Sequence, residues 1–340
     1  MKKLAVFISV VCALAVLGVV FIALYSNRAP AMPFDAKITD FYVHEDVNAY
    51  FIDSNHDLYV TGKNKDIGTD RLILGNHPVK IFENVASAGF QSLVTTSGDL
   101  YCWGDMAGLI SEGKTSSVPL KAMSGIREFR AKSPSVFAFV DTAGKLKISD
   151  KSSEKPNLAG AIELMDGVER ICFLSDGTEN IMAFIAAGKQ LYTFDFDKDT
   201  EPVPAAQDAV DAQLYIGSVY FTDSQGTLRM VKDGAPVKLL ENINAFTFVN
   251  RQLVVYEKGQ IVYYEVKVNA EITGVSAFTP LTEVTRLFSN QHVFLYMGAD
   301  QKLYCYGKSR LNDGMDRWIL FNDSRENIDV QLDEPAVIPG

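Results

Sequence analysis

"SLVTTSGDLYCWGD" occupies residues 92 to 105 and alternates apolar with polar side chains on either side of a break at Ser97-Gly98. Period-two alternation around a turn signal is the pattern of a β-hairpin with one buried face. The stretch closes on Trp103-Gly104, and nearly the same ending returns two hundred residues on: "FLYMGADQKLYCYGKS" (294–309) lays Leu303-Tyr304-Cys305-Tyr306-Gly307 over Leu100-Tyr101-Cys102-Trp103-Gly104. A third copy, "AYFIDSNHDLYVTGKN" (49–64), ends Leu58-Tyr59-Val60-Thr61-Gly62, and looser copies lie at 136–150, 181–195, 219–231 and 253–266. The folding unit is therefore larger than one hairpin.

The aliphatic residue after each turn marks the period. Leu58, Leu100, Leu146, Leu191, Leu228, Ile261 and Leu303 are spaced 33 to 46 residues apart. Between the hairpins a second text recurs, "PVKIFENVASAGF" (78–90) and "PVKLLENINAFTF" (236–248), with looser versions at 118–129, 161–173 and 278–288. It is expected to add strands three and four to the unit. A module of about 40 residues with four short strands is the size of a propeller blade. The prediction is an all-β chain, a seven-bladed β-propeller over 35–340. Outside the amino-terminal segment no stretch holds a 3.6-residue apolar period, so helical repeats and βαβ units are poorly supported. Two tandem sandwiches are the remaining rival fold.

The chain carries 42 Asp plus Glu against 32 Lys plus Arg, a formal charge of −10 at neutral pH. Such a surface repels nucleic-acid phosphates instead of displacing their counterions, and nucleic acid is not an expected partner. After Lys2 and Lys3, residues 4–25 contain no charge and only Ser9 as a polar residue. A helix of that length reaches roughly 33 Å, enough for a hydrocarbon core of about 30 Å. The expected organisation is a cytoplasmic lysine pair and signal-anchor helix over 1–28, a linker over 29–34, and the propeller outside the membrane. Cys102, Cys172 and Cys305 lack metal-ligand spacing and are expected as small buried hydrophobes; Cys12 lies in the anchor.

With these motifs in view, the chain resembles the regulator of chromosome condensation repeat family in an exported, bacterial-type form. The resemblance runs from about Phe34 to Val330, and Gly62, Gly104 and Gly307 match the glycine that closes the family's motif. Units three to six lack that glycine. The resemblance implies seven blades around a central channel. The founding member's partners, a small nuclear GTPase and chromatin, do not fit an acidic exported chain. Other bacterial propellers of this class bind and inhibit β-lactamases through loops on one face, which supplies a model of how such a scaffold works.

Within each unit, the glycine at the hairpin turn is expected to supply the positive φ of a two-residue turn. Tyr59, Tyr101, Tyr192 and Tyr304 are expected between blades, and Trp103 and Tyr306 over the closing glycine. Catalytic signatures are sparse. "GKS" at 307–309 lacks the upstream glycine of a phosphate loop, and "DFDKDTE" (195–201) lacks the glycine and glutamate of a calcium loop. His44, His56, His77 and His292 show no ligand pairing. No cofactor or metal is expected. The long segments 63–77, 105–117, 149–160, 197–209 and 308–317 all follow a hairpin's second strand and should gather on one face. The expected function is a module that binds another protein or a cell-wall component through that face, with Lys63, Asp66, Arg71, Asp105, Met106, Arg310 and Trp318 as contacts. The alternative is an exported carbohydrate lyase or hydrolase with its site at the axial channel.

Overall fold

A computed structural model describes Val16, Met32 and, with short gaps, residues 36–337; masked within that span are 45–47, 63–67, 69–77, 111–114, 151, 154–156, 175–179, 199, 216, 233, 250–251, 268–269, 290–293, 310–316, 319–322 and 327–329, and side chains are not described for 44, 48, 61, 62 or from 305 onward. Among the described residues no helix is long and apolar enough to cross a membrane. The segment expected to span, 4–25, lies outside the described residues except for Val16.

Seven four-stranded antiparallel sheets follow one another along the chain. The first holds β1 (Ile38–His44), β2 (Asn48–Asp53), β3 (Leu58–Gly62) and β4 (Val79–Phe82), and the second β5 (Val85–Gly89), β6 (Ser92–Thr95), β7 (Asp99–Gly104) and β8 (Ser116–Ser124). The third is β9 (Ile126–Ser133), β10 (Val136–Asp141), β11 (Leu146–Ile148) and β12 (Ile162–Met165); the fourth is β13 (Val168–Leu174), β14 (Ile181–Ala186), β15 (Gln190–Asp195) and β16 (Val203–Ala206). The fifth and sixth are β17 (Ala209–Tyr215) to β20 (Ala235–Leu240) and β21 (Ile243–Val249) to β24 (Ile272–Phe278), the inner members being β18 (Ser218–Asp223), β19 (Leu228–Lys232), β22 (Gln252–Glu257) and β23 (Gln260–Val266). The seventh uses β25 (Val284–Ser289), β26 (Phe294–Gly298), β27 (Leu303–Ser309) and β30 (Val330–Val337), with a small ribbon of β28 (Arg317–Trp318) and β29 (Asp323–Glu326) inserted before its last strand.

The core is divided into seven buried clusters, one at each junction of neighbouring blades. This follows from the alternation: each sheet is apolar on both faces and buries each face against a neighbour. The seven register aliphatics, Leu58 through Leu303, are each at most 2% exposed, so the sequence period marks the same interior position in every blade. Tyr59 and Tyr304 belong to junction clusters, and Tyr101 and Tyr192 pack at the edges of two others. Trp103 is fully buried against Gly68, where an added Cβ would sit 3.1 Å from the indole, so it packs on the preceding blade's connection.

Three expectations need correction. The recurring Pro-Val-Lys text straddles two blades: residues 78–90 supply β4, the last strand of one blade, and β5, the first strand of the next. The chain crosses over at Asn84, Gly125, Gly167, Asp208 and Asn242, all at positive φ, a backbone reversal that a continuous strand pair would not need. Second, two-residue hairpin turns are not the rule. Between Asp141 and Lys145 the loop has three residues with Gly144 at φ 86, whereas Lys258-Gly259 is a two-residue turn with both φ positive. Third, the segment read as loop over 197–209 contains β16.

Two devices repeat around the ring. Each first strand carries a bulge at its second residue, at Thr39, Ala86, Arg127, Glu169, Val210, Asn244 and Thr285. A bulge bends the strand and re-aims the following side chain, here toward the axis. In addition, the first N–H of a blade donates to the turn carbonyl of the preceding blade: Val85 to His56, Ile126 to Gly98, Val168 to Gly144 and Ile243 to Gly226, at 2.8 to 3.0 Å. The same bond from Ile38 to Gln301, 2.8 Å, joins first blade to last and closes the ring.

Candidate functional site

The antiparallel order gives the ring two unlike ends. At one end lie the hairpin turns between second and third strands and the links between blades, locked together by the N–H to turn-carbonyl bonds. These turns are short, and three share one chemistry: Asp53, Asp141 and Asp223 each use Oδ1 to accept two backbone N–H groups of their own turn, at 2.9 to 3.0 Å. At the other end lie the connections from third to fourth strands. These run from the tight 233–234 link to the 310–329 insertion with its β28–β29 ribbon, so length variation is concentrated there.

Of the residues expected to make contacts, Lys63, Asp66, Arg71 and Arg310 lie outside the described residues. Trp318 is placed in β28, opposite Asp323 of β29, within the longest connection at that end. Asp105 is exposed and opens a short 3₁₀ turn over Asp105–Leu109. Met106, next in the chain, is fully buried in the junction cluster with Val94, Leu100 and Phe129, so its side chain is core and not a contact. The physical reason is the turn's closure. Gln91 Oε1 accepts the N–H groups of Asp105 (2.7 Å) and Met106 (3.3 Å), which pins the chain inward after Gly104.

A second feature lies on the axis. Side chains from all seven first strands line one cavity of about 710 Å³. The residue after each bulge forms a girdle: Asp40, Ser87, Glu128, Arg170, Asp211, Ala245 and Arg286. Two of its charge pairs cross between blades and a third lies within β9. Arg286 binds Asp40 across the closing seam and stands 4.7 Å over the Phe41 ring, and Arg170 reaches Asp211 at 2.7 Å. Glu128 pairs with Arg130 at 3.1 Å and accepts the Ile171 N–H at 2.9 Å. The confined lumen dehydrates Asp211 and raises its carboxyl pKa, with Arg170 pulling the other way. Cys172 faces this lumen half-buried and does not behave as simple core: burial first, then the Asp211 charge, pushes its thiol up to about 12. Cys102, by contrast, is fully buried, and burial alone takes its thiol to about 12.

Among the described lining residues there is no histidine, and both lining aspartates are tied to arginines. Such an arrangement offers no free carboxylate pair for acid and base roles. In the acidic run, Lys198 binds Asp195 at 2.7 Å and Asn180 donates to Asp197 at 2.9 Å. The girdle has no signal of its own in the sequence: each member stands two residues after the first residue of a first strand, as Ser87 after Val85, and the recurring text does not mark where a first strand begins.

The sequence matches no family model, and no curated protein matches it by sequence. Many solved structures are similar in fold. Human WBSCR16 superposes with TM-score 0.55 at 10% identity, over 77% of this chain and 85% of that one. BBS1N, solved in complex with ARL6DN, gives TM-score 0.51 at 13% identity over 81% of this chain and 96% of that one. PorZ, an essential bacterial surface component of the type-IX secretion system of Porphyromonas gingivalis, gives TM-score 0.51 at 11% identity, over 84% of this chain but 38% of PorZ. At such identities the likeness establishes the fold: a seven-bladed β-propeller.

Proposed function

We propose that this chain is a divergent, exported member of the regulator of chromosome condensation repeat class, anchored through residues 4–25 with its propeller outside the cytoplasm, and that it binds another protein or a wall component through its loop end. The observation that carries the reading is the inequality of the two ends. One carries short turns, bonded blade to blade at five junctions, while the chain lengths between third and fourth strands at the other vary from two residues at 233–234 to twenty at 310–329. Rigid scaffolds that vary only at one set of loops use those loops for recognition. BBS1N, of the same fold, was solved with a protein partner, and PorZ is a surface component. The paired channel charges give the carbohydrate-enzyme reading no support.

The test is capture from surface extracts with the full chain in detergent. Trp318→Ala and Arg310→Ala at the loop end are expected to reduce capture, while Lys145→Ala and Lys258→Ala at the turn end leave it unchanged. Equal losses at both ends would refute the assignment of the face. Anchoring is tested separately: the full chain should stay in membranes after an alkaline wash and be cut by protease added outside intact cells.

A further inference from the structure

The axial lumen is charged differently from the molecule around it. The chain as a whole carries −10, yet the charged side chains lining the lumen are Arg130, Arg170, Arg286, Asp40 and Asp211, an excess of one positive charge among the described residues. The acids are tied to the wall by backbone donors. Asp40 accepts the Phe41 N–H at 2.9 Å, Asp211 accepts the Ala212 N–H, and Glu128, which accepts the Ile171 N–H at 2.9 Å, is not among the lining residues. The guanidiniums are held by less. Each meets its carboxylate through one nitrogen, Nη2 of Arg130 and Arg170 and Nη1 of Arg286, although a guanidinium carries five N–H donors. Arg170 spends one further donor on the Cys172 thiol. The Arg170 and Arg286 side chains are still 48% and 42% exposed, so they reach the lumen's interior.

Arg170 stands on β13 of the fourth blade and Arg286 on β25 of the seventh, three blades apart in a ring of seven and therefore on opposing walls of the girdle. Arg286 is near enough to pull on the Asp211 carboxyl beside Arg170, so both guanidiniums act on one space. We propose that the lumen binds a small organic dianion, a molecule with an acidic group at each end, spanning the channel between Arg170 and Arg286. Each arginine gives one nitrogen to its aspartate and offers the rest of its planar fork to one acidic end. Two separate anions held on facing walls would each lose their freedom of motion, whereas one molecule with linked ends loses it once. A cavity of about 710 Å³ is of the size that holds small ligands. This site lies on the axis and does not depend on what the loop end binds.

The test is calorimetric titration of the full chain in a neutral detergent with straight-chain dicarboxylates from succinate to suberate, and with butyrate and inorganic phosphate as single-ended probes. One chain length should bind with a dissociation constant below about 1 mM and about tenfold or more tighter than either single-ended probe. That comparison needs no variant. Arg170→Gln and Arg286→Gln should each weaken the best dicarboxylate about tenfold and narrow its advantage over butyrate. Arg170→Lys and Arg286→Lys keep the ion pairs, and with them the fold, but lose the fork, so they should weaken binding as well. Lys145→Ala, at the turn end, should bind like the wild type. A wild type that binds no dicarboxylate, or that holds butyrate or phosphate as tightly as the best of them, overturns the proposal. So do arginine variants that bind like the wild type, or an equal loss in Lys145→Ala, which would reduce the effect to the general field of the protein.

Discussion

At the scale of single residues, Gly104 carries a demand that no other side chain meets. Its backbone sits at φ 53, ψ −136, and a Cβ there would fall 2.4 Å from the Gln91 side chain. Gln91 is itself 3% exposed and holds the following turn. Gly104→Ala must therefore adopt a strained backbone and displace that closure together, a loss of about 3 kcal/mol in urea unfolding; a change below about 1 kcal/mol would contradict the closure. Asp223 gives a pH-dependent case. Burial raises its carboxyl pKa, but hydrogen bonds from Thr227, Arg229 and Gln225 outweigh this and leave it below the ordinary 3.8. A depressed folded-state pKa gives stability that is complete above the unfolded value and lost as pH falls through the folded one. Asp223→Asn should thus cost about 1 kcal/mol at pH 7, with the gap to wild type closing below about pH 4. A gap that stays constant to acid pH would mean the carboxylate's charge contributes nothing.

At the scale of elements, the hairpin and its register were legible in the sequence because they are local. Period-two alternation and a turn residue dictate them without reference to any neighbour, and Leu58, Leu100 and Leu146 are all fully buried as the period required. The assignment of strands to blades was not legible, since the chain crosses between blades inside one recurring text at Asn84 and Asn242, where nothing but a positive φ marks the boundary. Met106 was misplaced for a similar reason: its burial depends on Gln91, distant in sequence and silent in pattern. The turns show how one geometry accepts different residues. Gly98, Gly144 and Gly226 hold the positive-φ position in three blades, while Gln301 holds it in the last at φ 62 and still presents its carbonyl to Ile38. A non-glycine residue in the left-handed region carries a cost of about 1 kcal/mol, so Gln301→Gly should raise stability by up to that amount. A rise in Tm of a few degrees or less would agree with this, and a fall would show that the Gln301 side chain holds the seam by contacts of its own.

At the scale of the whole molecule, the decisive feature is how the ring closes. The first blade is built from 38–82 and the last from 284–337, so among the described residues no strand is shared between the two and the seam is held by side chains and the Ile38 to Gln301 backbone bond. The seam cluster contains Met32, Ile38, Phe41, Leu295 and Leu303, with Phe41 meeting Phe288 edge to face at 5.4 Å and Arg286 capping the ring. Met32 also donates its N–H to Pro78 at 2.8 Å, so this one described residue of the expected linker takes part in the closure. Because each blade touches only its neighbours, opening the seam converts a closed ring into an open array, whose end faces expose two apolar sheets to water. Phe41→Ala, at a side chain 3% exposed, should cost about 3 to 5 kcal/mol and should do so by loosening the seam before the rest. Hydrogen exchange then reads the mechanism: amides of β1, β2, β26 and β27 should lose protection well before those of β13 to β16 on the far side. The comparable truncation Phe184→Ala, at the fully buried junction of third and fourth blades, is the control. If both variants lose protection evenly around the ring, the seam is no weaker than any other junction and the propeller unfolds as one unit.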